Sequence, residues 1–213
     1  MEFTEVVRRR RMVRNYDPDR PVPTEIVDRL LANAVRAPSA GFAQGWGFLV
    51  LQTPADRDRY WSATTGPPVS GEAATDRGRR GTWLDRMRNA PLIIVALSNR
   101  SIYLDRYAEP DKGWSDRDEA RWPVPYWHID TGFAALLMHL TAVDQGLGSC
   151  FFGIPPERIA DFRAAFGVPD DFTPIGSLTV GYPADDLRSP SLRRGRRPVD
   201  EVVHRGRWTG SGS

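Results

Sequence analysis

One segment limits the fold of this chain more than any other: YWHIDTGFAALLMHLTAVDQGLG, residues 126–148. From Trp127 to Gln145 it reads as a single helix, closed by Gly146, that is apolar around almost its whole circumference. A helix without a broad polar face has to be buried. A chain of 213 residues can build a real core, but one small domain has difficulty enclosing a helix on every side. Association with a second chain is therefore expected. No apolar run approaches the roughly 18 residues of a membrane-crossing helix, and the N-terminus carries no signal-peptide pattern. A soluble, cytoplasmic protein is expected.

The remaining elements are arranged around that helix. In VPTEIVDRLLANAVRAP, residues Ile26, Leu30, Leu31, Ala34 and Val35 fall at helical spacing, with Pro23 and Thr24 as start signals and Pro38 beyond the end. WGFLVLQT (Trp46 to Thr53), PLIIVALSN (Pro91 to Asn99), SCFFGI and IGSLTVGYP are short runs rich in branched and aromatic residues, bounded by breakers, and read as strands. PPERIADFRAAFGVP reads as an amphipathic helix starting after Pro155 and ending at Gly167. The order is mixed α and β, with helices packed on a small sheet. The Gly/Pro-rich interval 64–82 is too long for a simple connector and is expected to be either a mobile lid or partly disordered.

Composition and motif spacing exclude several function classes. The net charge is only +2, with acidic residues interspersed among the basic ones, which disfavours a general nucleic-acid surface. Cys150 is the single cysteine, so neither an internal disulfide nor a cysteine-rich metal site is available; a small buried side chain is expected there. His128, His139 and His204 are scattered and lack a carboxylate cluster, so no metal site is expected. GLGSCFFG is not a dinucleotide fingerprint, because the helix precedes it, the strand follows, and Phe151 holds the third glycine position. Neither a Walker sequence nor an H-E-x-x-H is present, and no nucleophile elbow supports a serine hydrolase.

Two features remain: the run of four arginines from Arg8 to Arg11 with Arg14 close behind, and the stretch APSAGFAQGWGFLV from Ala37 to Val50. Alone, the basic run reads as a solvated helical face. The pieces RRMVRNY, APSAGFAQGWGFLV, NAPLIIVAL, WHIDTGFAALLMHLTAVDQGLGSCFFGI, IGSLTVGYP and RRGRRPVDEVVH follow one another in an order and at separations that resemble the FMN-dependent nitroreductase superfamily nearly end to end. The resemblance implies an α+β fold, a central and mostly antiparallel sheet flanked by helices, in a domain-entwined homodimer with FMN at the subunit interface. It also implies a single FMN-binding domain over 1–208, with 184–208 as an extension wrapping the partner and 209–213 as a tail.

The resemblance assigns residues as well. Arg10 is expected on the FMN phosphate, Arg11 and Met12 along the ribityl-phosphate, and Arg14 at the N1/C2-carbonyl edge, where it would stabilise the reduced ring and act as the catalytic group. Arg8 and Arg9 are expected to be solvated. Pro38, Ser39, Ala40 and Phe42 would come from the partner chain to meet the ring, Phe152, Gly153 and Ile154 would offer backbone near N5, and Arg194 and Arg196 would close over the phosphate. Met12 and Phe42 stand where the family often has Ser and Asn, and both departures remove polar flavin contacts. The implied activity is hydride transfer from NAD(P)H through FMN to a small acceptor, a nitroaromatic or quinone, in a ping-pong cycle. Other readings stay open: an oxidase or desaturase of a small metabolite, a flavin or deazaflavin carrier, and a polyanion-binding protein. A flavin destructase of the 5,6-dimethylbenzimidazole synthase type shares the loop pattern Pro38 to Gln44, but it carries an acidic residue where Met12 stands and a serine where Gly153 stands. The segments 64–82 and Tyr103 to Tyr126 carry no motif and are expected to set the substrate.

Overall fold

A computed structural model describes residues 1–65, 84–185 and 189–208. The expected lid lies almost entirely outside these residues. Four strands, β1 (Trp46–Leu51), β2 (Leu92–Asn99), β3 (Gly148–Phe152) and β4 (Phe172–Gly181), form one sheet in the order β1-β2-β4-β3, and every neighbouring pair is antiparallel. The fold class is therefore the expected α+β arrangement.

The sheet is covered on both faces, and β2 shows why. All eight of its residues are buried, which fits its continuous apolar run rather than an alternating one. Leu92, Ile94 and Ala96 face one layer, in which α2 (Thr24–Ala34) contributes Leu30 and Ala34 and α5 (Tyr126–Asp144) contributes Ala134, Met138 and Ala142. Ile93, Val95 and Leu97 face the other layer, with Tyr60 and Trp61 of α3 (Pro54–Thr65), Met87 of the helical turn 84–87 and Phe162 of α6 (Ile159–Phe166). Helix α6 stops at Gly167 in the left-handed region, φ 63°, as its sequence predicts. The N-terminal helix α1 (Phe3–Arg9) packs beside α5.

The long apolar helix is not enclosed within one chain: Tyr126, Ile129, Phe133 and Leu136 stay 38–46% exposed on a single face. The tail, with α7 (Val199–Val202), likewise exposes Leu192, Val199 and Trp208. Helices α3 and α4 (Arg100–Ala108) have no counterpart in the sequence reading. α3 buries residues only from Tyr60 onward and α4 buries Tyr103 alone, so neither carries a full apolar stripe.

Candidate functional site

The arginine run divides according to local geometry. Arg8 and Arg9 lie on the last turn of α1 and both pair with Glu5, Arg8 Nε at 2.7 Å from its carboxylate. These two contacts hold the Glu5 carboxyl down to about 2. Both arginines are exposed, as expected. At Arg10 the chain leaves the helix, and residues 10–14 run extended along β3. Met12 bridges Ser149 in parallel and the Val13 amide donates to the Ser149 carbonyl at 2.9 Å. This seat depends on Gly148: a Cβ there would meet three Val13 side-chain atoms at 2.6–2.8 Å.

Arg10 is half-buried, and its Nη1 lies 3.2 Å from His139 Nε2 on α5. Arg11 is exposed and turns to a separate cavity shared with Met1, Arg9 and Leu147, while Arg14 is half-buried. His139 Nδ1 in turn bonds the Ser149 hydroxyl on β3. His139 is 3% exposed, and burial, reinforced by the Arg10 charge, pushes its imidazole down to about 4. It is neutral at physiological pH. At the far end of β3, the Phe152 ring lies parallel to Trp61 at 6.0 Å, Ile154 packs in the same cluster, and Gly153 faces open space.

The loop 38–42 is built at another place. Gly41, Phe42 and Gln44 all have positive φ, 61°, 56° and 54°, and two of them are residues for which this is uncommon. The surroundings hold the loop there. The buried Asp130 carboxylate of α5 accepts from the Ala40 amide at 2.8 Å and from the Tyr103 hydroxyl at 2.9 Å. Ser39 Oγ accepts from the Gln44 amide at 3.1 Å and the Gly41 carbonyl accepts from Arg106 Nε at 2.8 Å. Burial and the Asp130 bond push the Tyr103 hydroxyl well above its usual range, so it stays a donor. Pro38 and Phe42 are exposed, Phe42 by 75%. Tyr107 lies against Gly41 and belongs to an aromatic block in which Tyr103, Tyr107, Trp114, Tyr126 and Trp127 surround Trp122 with centroids 4.5–6.1 Å away.

Within one chain these two groups do not meet. The loop leads into β1 and the arginine segment flanks β3, the two outer strands. Three strand spacings separate β1 from β3, about 14 Å, and the arginine segment lies outside β3. Along α5 their anchors are Asp130 and His139, about 13 Å apart by helical rise. Arg194 and Arg196 are exposed in the tail.

The sequence reading overlooked Asp130 as the anchor of the loop and considered His139 only in setting aside a metal site. Both are buried polar residues in an otherwise apolar helix. Thr131 satisfies itself on the Trp127 carbonyl of its own helix, whereas Asp130 and His139 reach other elements. That contrast was the available signal, since buried polar groups must find partners.

The fold agrees with known proteins. The sequence profile of the Nitroreductase family matches residues 7–182. This chain belongs to the nitroreductase family. It is 38% identical over 215 residues to the Bacillus subtilis protein YdgI, provisionally named an NAD(P)H nitroreductase, covering 95% of this chain and 96% of that one. It is 28% identical to a protein named NADH dehydrogenase in Thermus thermophilus, covering 92% and 91%. Among solved structures, a nitroreductase family protein of Clostridium difficile superposes with a TM-score of 0.68 at 24% identity, covering 98% of this chain and 100% of that one. An Exiguobacterium sibiricum protein, provisionally named a nitroreductase and crystallised with FMN, superposes at 0.70 and 19% identity, with 98% of each chain covered. For this nitroreductase-family chain, names among the relatives support an oxidoreductase, and among the described residues no helix is long and apolar enough to cross a membrane.

Proposed function

We propose that this protein is an FMN-dependent NAD(P)H oxidoreductase, working as a homodimer and passing hydride to a small aromatic or quinonoid acceptor by a ping-pong scheme. The observation that carries this reading is the state of Arg10. Arg10 is half-buried, its guanidinium contacts a neutral imidazole, and among the described residues no carboxylate pairs with it. A partly desolvated, uncompensated cation favours an anionic ligand, and four of its five N–H donors remain for phosphate oxygens. The donor set fits FMN.

When bound, FMN supplies the redox chemistry; the chain's own residues bind and orient. Arg10 would hold the phosphate, with Arg11 and Met12 beside it and Arg194 and Arg196 closing from the tail. Arg14 would face the N1 edge and stabilise negative charge on the reduced ring. The open space at Gly153 suits close approach of a flat ligand to the backbone between Phe152 and Ile154. Pro38, Ser39, Ala40 and Phe42 would serve the partner's flavin, because in their own chain they lie at the opposite sheet edge. The dimer reading is supported by the exposed face of α5, where Tyr126, Ile129, Phe133 and Leu136 follow the 3-4-3 spacing of a helix-pairing seam. The tail residues 184–208 would wrap the partner and cover Leu192, Val199 and Trp208.

Purified protein is expected to be yellow, to release FMN on denaturation, and to bleach anaerobically with NADH or NADPH. Colourless protein that cannot be reconstituted with FMN would overturn the reading, and flavin that neither nucleotide reduces would leave a carrier. Arg14→Ala is expected to lower the flavin potential more than it weakens binding, measured by dye equilibration and fluorescence titration.

A further inference from the structure

The contact between Arg10 and His139 contains information about direction. A guanidinium has no acceptor, so at 3.2 Å its Nη1 donates and His139 Nε2 accepts. A neutral imidazole that accepts at Nε2 carries its proton on Nδ1, and Nδ1 lies against the Ser149 hydroxyl, which must accept. Ser149 is fully buried, and its backbone carbonyl receives the Val13 amide at 2.9 Å. One residue of β3 thus fixes both the chain that carries Arg10 and, through the imidazole, the direction in which the Arg10 guanidinium extends.

We propose that His139 is a positioning residue for anion recognition: with its ring held by the Nδ1–H bond to Ser149 and its Nε2 left to accept, it holds the Arg10 guanidinium rigid and aimed at the phosphate of the bound nucleotide. An aspartate or glutamate at the same position would orient Arg10 equally well but would neutralise it. A neutral acceptor orients the cation and leaves its full charge for the ligand. The acid-shifted imidazole serves this role, since a protonated His139 would both lose its acceptor and repel Arg10. Because a single imidazole and a single hydroxyl form the relay, a nucleotide binds without first ordering a long flexible arginine, which removes an entropic penalty of association.

This proposal rests on the flavin reading, and the test separates the two. FMN and riboflavin, which differ only in the phosphate, are titrated by flavin fluorescence against apoprotein of wild type, His139→Leu, His139→Gln, Arg10→Ala and the His139→Leu/Arg10→Ala double variant. His139→Leu is expected to weaken FMN about tenfold, the loss of one charge-assisted orienting bond, with riboflavin affinity unchanged. His139→Gln, whose amide oxygen can still accept from Arg10, stays within about threefold of wild type. In the Arg10→Ala background His139→Leu adds no further loss, because the residue acts through Arg10. Ser149→Ala, which retains the imidazole but removes the hydroxyl that accepts from its Nδ1, gives a smaller loss confined to FMN and serves where the leucine variant does not fold. Equal losses for FMN and riboflavin, or a full additive loss on top of Arg10→Ala, overturn the proposal. Wild-type protein that binds neither flavin overturns the flavin reading itself.

Discussion

Replacing Asp130 with alanine removes one carboxylate oxygen that accepts from both the Ala40 amide, at 2.8 Å, and the Tyr103 hydroxyl, at 2.9 Å. Asp130 is 3% exposed, so water does not readily replace what is lost. A hydrogen bond to an ionised acceptor contributes about 1.5–3 kcal/mol. Two bonds on one oxygen then put the expected loss at about 3–6 kcal/mol, among the large losses that come from breaking a buried polar network. Asp130→Asn is expected to cost about 1–2 kcal/mol, because its carbonyl oxygen can take the same place and receive both donors while only the charge is lost. Urea unfolding at fixed protein concentration measures both. The Ala40 amide supplies a second readout, since its hydrogen exchange should accelerate strongly in the alanine variant and only slightly in the asparagine variant. If the two substitutions prove equally damaging, or if alanine costs less than about 1 kcal/mol, then Asp130 is not the anchor of the loop and the positive-φ residues that follow must be held by something else.

Three further outcomes are expected. The His139 imidazole titrates at about 4 in the folded chain against an ordinary 6.5, so between those values the unfolded chain binds the extra proton and stability falls as pH falls; relative to His139→Gln, wild type should lose about 3 kcal/mol between pH 7 and pH 4 in chemical unfolding. Phe133→Asp on the exposed face of α5 should shift the protein to monomer in sedimentation velocity, while secondary structure by circular dichroism stays unchanged; a dimer that persists would mean the seam lies elsewhere. Gly148→Ala forces a methyl to within 2.6–2.8 Å of Val13, so it should destabilise by about 1–3 kcal/mol and speed exchange of the Val13 amide, whereas an unchanged exchange rate would show that residues 10–14 are not seated on β3.

Much of this arrangement was legible in the sequence because burial leaves a period. The β2 run is apolar from Leu92 to Leu97 because both of its faces are covered, and α6 ends where Gly167 can adopt a left-handed conformation. α4 escaped notice because Tyr103 is its sole buried residue, so no stripe marks it. The solvation of Arg8 and Arg9 was readable from their helical spacing to Glu5. Asp130 and His139 are harder to read, because their partners, Ala40 and Ser149 among them, come from chain segments whose proximity only the fold creates. The long helix keeps one face uncovered within its own chain for a related reason: apolar character states that a surface must be covered, and does not state by which chain.

Helix α5 can be regarded as a ruler. It grips a recognition loop near one end and a cation's support near the other, and the length of rigid backbone between Asp130 and His139 sets the offset between them. If two such rods lie side by side along their apolar seams, each half of one cleft is graduated by a different rod. The span of the cleft is then invariant to changes in the loops and tail around it, and insertion or deletion of one residue between positions 130 and 139 would rotate one grip by about 100° and misalign both clefts at once.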